Sequence, residues 1–219
     1  MKLLLKRLQG GVLACYLKMQ YVVYMYKKLG ELATIVSGYT FRGSIKNDPQ
    51  GDIFVLQAKN ISANQDILNT RDLVTISDKS IRNPYFLEYN DILIVCRGSG
   101  AGSFRSAVFA TDDTKVMPSS SIHIIRVKDV TVLPKYLSLY LNSHDGQKAL
   151  AQIVTGASYI QSILVKNLID LEIPIPSIHT QKSIIALHEN MNQQEKILKR
   201  KNELKKKIIN ATFTNLINN

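Results

Sequence analysis

The last forty residues of the chain hold no residue that would end a helix. From about Thr180 onward there is neither glycine nor proline, and apolar residues recur at intervals that are mostly sums of threes and fours. A long helix with one apolar stripe requires this spacing. The stripe consists of Ile184, Leu187, Met191, Leu198, Leu204, Ile208 and Leu216. A helix of ~35 residues is ~50 Å long, too long to lie buried against a domain made from the rest of the chain.

The helix therefore needs a partner helix. Its stripe changes phase near Ile197 and Leu198, and polar Gln194 and Lys201 occupy positions that would face the partner. We expect an irregular coiled coil that forms a dimer interface. The expected interface residues are Ile184, Leu187, Met191, Leu198, Leu204 and Ile208. The alternative is a helix that lies on its own domain.

The net charge of +11 suggests a polyanionic partner, but the positive charge is concentrated at the two ends of the chain. Residues 1–28 carry six Lys or Arg and no acid, and residues 196–207 carry seven basic groups and one acid. The 167 residues between these segments hold 15 basic and 16 acidic groups. If the centre of the chain meets nucleic acid, a local patch must provide the contact.

The first 24 residues have some features of an export signal, but Lys6, Arg7 and Gln9 interrupt the apolar run that such a signal requires. No stretch reaches the ~18 apolar residues of a membrane helix. The two cysteines, Cys15 and Cys96, have no metal-binding spacing and are typical of reduced thiols. We expect a cytoplasmic protein with a basic lead-in at residues 1–24, whose role and authenticity the sequence leaves open.

Residues 29–130 have the pattern of short strands rich in Ile and Val, separated by Gly, Asn and Asp. The predicted strands are IFVLQA, DLVTIS, DILIVCR, SAVFAT and SIHIIRV. PKYLSLYLNS then predicts a helix with Pro134 in its first turn, and DGQKALAQIV predicts a second helix that ends at Gly156. LVKNLIDLEIPIPS is typical of an extended connection stiffened by prolines. We predict an α+β fold, with a mixed domain at residues 25–176 and a long helix at 177–219.

Residues 92–104, ILIVCRGSGAGSF, join an apolar run to a glycine-rich loop, as nucleotide-binding sites do. A dinucleotide fingerprint needs glycine at 98, 100 and 103 and then a helix, but position 103 is Ser and the next residues alternate like a strand. A phosphate-binding loop also needs a lysine that is missing here. This context excludes a cofactor site and favours a hairpin.

Residues 83–86, NPYF, are similar to the motif that holds a flipped adenine in amino-methyltransferases, but the second proline is missing. Only 11 residues separate Phe86 from Gly98, which leaves no room for the crossover helices of a large doubly wound sheet. The four histidines do not cluster with cysteines or paired acids, and His123 in its strand is expected to be structural. The sequence offers binding surfaces, with no catalytic or metal residues.

The glycine loop could instead present Arg97 to DNA, since Arg is suited to bidentate contact with guanine or with phosphate. Flanking glycines would let the backbone approach the duplex, and Ser99 and Ser103 would add short donors. The alternative is a hairpin whose Arg97 is only solvated. The loop alone leaves both interpretations open.

Taken in order, several segments resemble the specificity subunits of Type I restriction–modification systems. The resemblance runs from about Tyr26 to the C-terminus, and Asn90 stands where glycine is commoner. The segments are KKLGELATIVSGYTFRG, FVLQAKNIS, NDILIVCRGSG, MPSSSIHIIRV, PKYLSLYLNS and GASYIQSILVKNLIDLEIPIPSIHTQKSII. The resemblance implies a mixed α/β target-recognition domain with a projecting helix, in a half-size form with one of each.

The same resemblance implies a non-catalytic subunit that reads double-stranded DNA from its loops, with an interrupted palindrome as the target of a dimer. Modification (methyltransferase) subunits would dock on it and carry the S-adenosylmethionine, and restriction subunits are a further open partner. The second chain would be a copy of this one or a different half-subunit. The matching positions for DNA binding are Tyr39, Phe41, Arg42, Lys59, Asn60, Arg97, Ser99, Arg105, Ser119, Ser120, Ser158, Tyr159 and Gln161. The alternatives are a coiled-coil interaction protein without DNA binding and a stand-alone adenine methyltransferase fragment.

Overall fold

The computed structural model describes residues 25–217, except 64, 68, 78–80, 82–84, 100–101, 112–114 and 157–160. The strands in this part of the chain are β1 Met25–Lys28, β2 Ala33–Ser37, β3 Ile53–Leu56, β4 Val74–Ile76, β5 Ile92–Val95, β6 Arg97–Gly98, β7 Ser106–Val108, β8 Val116–Pro118, β9 Ile122–Val127, β10 Val154–Thr155, β11 Gln161–Ile163 and β12 Glu172–Ile175. The helices are α1 Leu29–Leu32, α2 Pro134–Asn142, α3 His144–Gln152, α4 Val165–Ile169 and α5 Ile178–Ile217. The predicted α+β class is confirmed.

The centre of the domain is an antiparallel sheet in the order β2-β9-β5-β7. Strand β5 is apolar at every position because both faces of this sheet are covered. Successive side chains of a strand point to opposite faces. Ile92 and Ile94 therefore join a core formed with the helices, whereas Leu93 and Val95 join a second core on the other face.

The second core is closed by a smaller sheet in the order β4-β3-β8, in which β3 and β8 run parallel. Leu56, Phe109 and Val116 contribute fully buried side chains to it. The parallel register places Leu56 opposite Pro118, so that both strands end at the same edge of the domain. This edge lies beside the start of β9.

A tight turn before β5 fixes the position of the central strand. Asn90 has a φ of 71°, a left-handed conformation that Asn tolerates better than most residues other than glycine. Next to it, the buried carboxylate of Asp91 accepts hydrogen bonds from the Glu88 amide at 2.8 Å and from Arg126 Nη2 at 2.7 Å. The turn therefore explains why Asn is compatible with a position where glycine is commoner.

Helices α2 and α3 cover the first face of the central sheet. Pro134 occupies the first turn of α2, as predicted, and the Ser143 hydroxyl caps α3 by accepting a hydrogen bond from the Gly146 amide at 3.1 Å. Leu137 and Leu150 are fully buried between the helices and the sheet. Both predicted helices are present, although α3 ends at Gln152, before Gly156.

The connection predicted at LVKNLIDLEIPIPS is extended only in its second half. Residues Val165–Ile169 form a short helix, and Glu172–Ile175 then pair antiparallel with Met25–Lys28. The helix forms because Leu168 is fully buried and the Asn167 side chain donates to the Ile153 carbonyl at 2.9 Å. Tertiary contacts therefore override the extended prediction for this segment.

The long C-terminal helix is confirmed. It has 40 residues and is therefore ~60 Å long. Its first turn is anchored by the buried side chain of Gln181, which accepts from the Leu133 amide and donates to the carbonyls of Thr131 and Pro176, all within 2.9 Å. Every described side chain from 193 to 214 is exposed. No helix in the described part of the chain is both long and apolar enough to cross a membrane.

Candidate nucleic-acid interface

Four loops come together at the edge of the domain where β2, β3, β5 and β8 end and β9 begins. Backbone hydrogen bonds join them. The Tyr39 amide donates to the Pro118 carbonyl at 2.8 Å, and the Ser119 amide donates to the Leu56 carbonyl at the same distance. The Cys96 amide donates to Ser121 at 2.9 Å. Segments far apart in sequence therefore form one continuous surface.

An open cleft of about 340 Å³ lies on this surface. Its walls come from three of the predicted segments: Phe41, Lys59 and the serine turn at residues 119–121. Tyr39 supports Phe41 in an edge-to-face contact with ring centroids 4.9 Å apart. The cleft thus combines an aromatic wall, an exposed cation and hydroxyl groups, which can contact base edges or phosphates.

Arg105 stabilises the turn that contains Lys59 and Asn60 through hydrogen bonds to its backbone. Its guanidinium donates from Nε to the Ile61 carbonyl at 2.9 Å and from Nη2 to the Ala58 carbonyl at 3.2 Å. Arg105 is therefore engaged with the backbone of the turn, while Lys59 remains exposed. Asn60 uses its side-chain oxygen to accept from the Gln57 amide at 2.9 Å. These contacts hold the turn in a fixed shape.

The glycine-rich segment is part of a hairpin. Strand β5 pairs antiparallel with β7, with Ile94 opposite Ser106. Glycine is needed for close backbone approach, because a Cβ at Gly98 would lie 2.1 Å from the Ser103 Cβ. Gly102 has a φ of 78°, which also favours glycine. Gly98 and Gly102 are therefore explained by the hairpin without a phosphate.

Arg97 is exposed at this hairpin and pairs through its backbone with β11. Arg97 lies opposite Ser162 and Gly98 lies opposite Gln161, which places Gln161 beside the loop. Ser99 is exposed next to them, and Arg42 is exposed in the segment after Tyr39. The structure thus brings the described candidates to one edge. Ser158 and Tyr159 lie outside the described residues.

Two buried groups that the sequence did not mark as part of the site support the Arg97 loop. His123 Nε2 lies 2.8 Å from the Ile163 carbonyl at the end of β11, and burial lowers the pKa of its imidazole. Burial raises the pKa of the Cys96 thiol to about 11, and the thiol lies 3.5 Å from the Ser120 carbonyl. In the sequence, the local sign of this supporting role is that His123 is a polar residue within the largely apolar pattern of β9.

The second half of the NPYF motif has a structural role. The Arg126 guanidinium lies over the Tyr85 ring, 5.0 Å from its centroid, and also binds Asp91. Asn83 and Pro84 lie outside the described residues. The described residues contain no cluster of three or more His, Cys, Asp or Glu side chains that could hold a metal ion.

The predicted dimer residues all lie on the exposed face of α5. Their exposed fractions range from 39% to 65%. The residues concerned are Ile184, Leu187, Met191, Leu198, Leu204 and Ile208. In the described part of the chain, the domain covers only the beginning of this helix.

The sequence matches the family described as Type I restriction modification DNA specificity domain over residues 21–210. The chain belongs to this family. The specificity-domain fold is also found in the HsdS subunit from Thermoanaerobacter tengcongensis, at 20% identity and a TM-score of 0.57 over 84% of this chain. The S subunit of the Type I restriction-modification system from M. genitalium matches at 16% identity and a TM-score of 0.52 over 81% of this chain.

A third solved structure, described as the basis of complex assembly and conformational transition of the Type I R-M system, matches at 19% identity and a TM-score of 0.58 over 86% of this chain. The specificity domain spans 40% to 44% of the length of these three solved chains. No curated protein sequence matches it. The comparisons establish the family and the fold of the domain.

Proposed function

We propose that this specificity domain reads a DNA sequence as the non-catalytic recognition subunit of a Type I restriction–modification complex. The observation that carries the proposal is the shared edge, where exposed Lys59 lines the cleft between Phe41 and the serine turn. Exposed Arg42 and Arg97 belong to the neighbouring loops of the same edge. Arg and Lys pair with guanine, and hydroxyl groups accept or donate at several base edges. The target is chromosomal DNA, so the proposed compartment is the cytoplasm.

The hydrogen bonds that hold the loop at Lys59 in place are compatible with recognition of a DNA sequence. Arg105 and Asn60 use their polar groups to hold the backbone of the neighbouring turn, which leaves Lys59 to meet DNA. A base-reading surface needs such fixed loops because each side chain must reach one base edge. We propose residues 25–176 as the recognition unit, with Ser158, Tyr159 and Gln161 among its candidate contacts to DNA.

The affinity for DNA is proposed to come largely from partners. The central part of the sequence carries about as many acids as bases, so it lacks the broad positive field of a protein that binds DNA by charge alone. Modification subunits that dock on the complex would add phosphate contacts and would carry S-adenosylmethionine. Restriction subunits are a further proposed partner.

We propose that the helix at residues 177–219 joins two recognition units. Two copies would present the same reading surface twice, and their target would be an interrupted palindrome. A different half-subunit would give two unlike half-sites. The stripe of α5 supports either pairing, because its apolar side chains stay 39% to 65% exposed.

The proposal is tested by expressing the chain with the modification subunit of a Type I system and sequencing the methylated bases in the host DNA. We expect methylation at one interrupted target and retardation of a duplex with that target in gel electrophoresis. The modification subunit alone, and a duplex with the half-sites scrambled, are the controls. If no duplex is retarded with or without the modification subunit, the chain is a coiled-coil interaction protein and the proposal is wrong.

A further inference from the structure

Helix α5 carries a basic face beyond the point where it leaves the domain. Residues 196–207 hold seven basic groups and one acid, and all of these residues are exposed. Successive residues of a helix are about 100° apart around its axis, so five of the seven cations fall within an arc of about 120°. These five cations form the basic face: Lys196, Lys199, Arg200, Lys206 and Lys207.

The basic face lies on the side of the helix that meets the domain. Ile185 of the same helix packs against the core, and the five cations lie within about 60° of its direction. Lys196 and Lys199 accordingly line a cleft together with Gln65 and Lys135 of the domain. The residues of the apolar stripe lie about 100° or more from Ile185. The basic face therefore stays open when the stripe is covered.

The charge of the basic face is not balanced along the helix. In the described part of the chain, the ion pair on this face joins Arg200 Nη1 to Glu203 Oε2 at 3.6 Å, which leaves four lysines without an acid. Lys196 lies one turn before Lys199 and Arg200, and like charges at this spacing destabilise a helix. A helix that only faces water is better served by charges of alternating sign. The basic face is therefore suited to an anionic partner.

We propose that the basic face binds the phosphates of the DNA that lies between the two half-sites. The inference rests on the proposed function, in which α5 joins two recognition units and therefore spans the same gap as that DNA. The face extends for ~17 Å along the helix, the rise of about five base pairs, over which a duplex presents about ten phosphates. Phosphate contacts carry no sequence information, so they suit DNA whose bases are not read.

The distribution of charge in the whole chain favours DNA as this partner. Residues 29–195 hold 15 basic and 16 acidic groups, so the recognition domain has little general attraction for a duplex. The basic face would supply a local positive field that the domain lacks. This chain would then contribute phosphate contacts of its own, in addition to those of the subunits that dock on it.

Salt titrations of the full chain on a random duplex test the basic face directly. The double variant Lys199→Gln/Lys206→Gln should bind more weakly, because glutamine retains the helix but not the charge. The slope of log affinity against log salt should become shallower by about two units per chain, one for each lost phosphate contact. Lys128→Gln/Lys205→Gln is the matched control. It removes the same charge, but Lys205 lies on the side of the stripe and Lys128 follows β9.

The control slope should equal that of the wild-type chain. An equal change of slope in both double variants would indicate a general effect of net charge. An unchanged slope in Lys199→Gln/Lys206→Gln would indicate that the basic face contacts no phosphate. Either result would overturn the inference.

Neutral phosphates locate the contact on the DNA. Methylphosphonates replace the phosphates between the half-sites of the cognate duplex, and affinity is measured with the modification subunit present. The wild-type chain should lose affinity for this duplex, whereas Lys199→Gln/Lys206→Gln should lose less, because two of its contacts are already missing. Methylphosphonates outside the two half-sites are the control. Equal losses in both chains would place the partner of the basic face elsewhere and would contradict the proposal.

An acidic surface of the modification subunit is the alternative occupant of the basic face. Light scattering of the full chain with the modification subunit, in the absence of DNA, distinguishes the two. We expect both double variants to bind the subunit as the wild-type chain does. If Lys199→Gln/Lys206→Gln alone loses the subunit and its salt slope on random duplex is unchanged, the face docks protein and the inference is wrong.

The inference and the proposed function can fail separately. A salt slope that depends on the basic face, in a chain that prefers no duplex sequence, would retain the phosphate contact and remove sequence recognition. Preference for one target, with the same salt slope in the wild-type chain and in Lys199→Gln/Lys206→Gln, would retain recognition and remove the phosphate contact.

Discussion

The imidazole Nε2 of His123 lies 2.8 Å from the carbonyl oxygen of Ile163, and this contact joins the central sheet to the strand beside the Arg97 loop. Its Nδ1 is buried without a hydrogen-bond partner among the described residues. The neutral ring can donate from Nε2, whereas a charged ring would have to bury a second N–H without an acceptor. His123 is therefore best suited to its position in the neutral form.

We predict that stability falls as the pH falls below 6.5, the ordinary pKa of histidine. Burial lowers the pKa of His123, and the nearby Arg97 charge lowers it further, against the opposing hydrogen bond to Ile163. The unfolded chain then binds a proton at a pH where the folded chain does not, so protonation favours unfolding. The slope is at most about 1.4 kcal/mol per pH unit for one such group. Urea titrations between pH 5 and 8 measure it.

His123→Gln retains a donor but cannot titrate, so it should flatten this pH dependence. Burial also lowers the pKa of His188, so His188→Gln is the control that separates the two histidines. If the slope is lost in His188→Gln and retained in His123→Gln, the assignment to His123 is wrong.

Replacing Asp91 by Ala should destabilise the domain by about 3–5 kcal/mol, because the Arg126 charge would lose its buried partner. Asp91 is 1% exposed and accepts from both Nε and Nη2 of Arg126. Urea denaturation checks the prediction. Asp52→Ala is the control, since it breaks the exposed pair with Lys115 and should leave the midpoint unchanged. If Asp52→Ala and Asp91→Ala lose equal free energies of unfolding, the burial of the Asp91–Arg126 pair does not account for its effect on stability.

Gly98→Ala should destabilise the hairpin by about 1–3 kcal/mol, the usual cost of overpacking. The added methyl group would lie 2.1 Å from the Ser103 Cβ. Ser103→Gly removes the atom that collides, so the double variant Gly98→Ala/Ser103→Gly should recover most of the loss in a urea titration. A double variant as unstable as Gly98→Ala would place the strain elsewhere in the loop.

The isolated chain should not bind S-adenosylmethionine in equilibrium dialysis. The glycines at 98 and 102 serve a hairpin between β5 and β7, and the next described element after them is the strand β7, where a cofactor site would need a helix. The chain together with its modification subunit is the positive control. Binding by the chain alone with 1:1 stoichiometry would revive a methyltransferase function.

The sequence predicted those elements whose signal is local. The period of α5 is visible within a few helical turns, and the apolar run of β5 is visible within four residues. The pairing of Met25 with Ile175 could not be predicted from a local pattern, because it joins the two ends of the domain. The two-residue strand at Val154–Thr155 is too short for any period, and α4 forms through the burial of Leu168.

The candidate site shows the same division. Family resemblance identified the loops, and the sheet topology then brought the described candidates to one edge. The supporting contacts could not be predicted, because Arg105 reaches carbonyls 44 and 47 positions away and His123 reaches one 40 positions away. No local pattern distinguishes an arginine that braces a turn from one that reads a base.

Arg97→Ala should weaken binding to the cognate duplex by about 1–3 kcal/mol per half-site if Arg97 reads a base. Binding to random duplex should hardly change, because phosphates supply that part of the affinity. Arg97→Lys separates the interpretations further, since lysine keeps the charge but loses the planar fork. Lys128→Ala is the control, because Lys128 is an exposed cation that follows β9 at the opposite edge of the sheet.

Salt titrations of these variants, with the modification subunit present, distinguish base reading from phosphate contact. If Arg97 only meets phosphate, the affinities for cognate and scrambled duplexes should fall together, and the salt slope should drop by about one unit per half-site. If it reads a base, the loss is confined to the cognate duplex. In a homodimer, two copies would present the same loop, and both halves of a palindromic target should then lose affinity equally. If Arg97→Ala binds the cognate duplex as tightly as the wild type, the exposed guanidinium of Arg97 is only solvated and does not contact DNA. The glycines would then serve the hairpin alone.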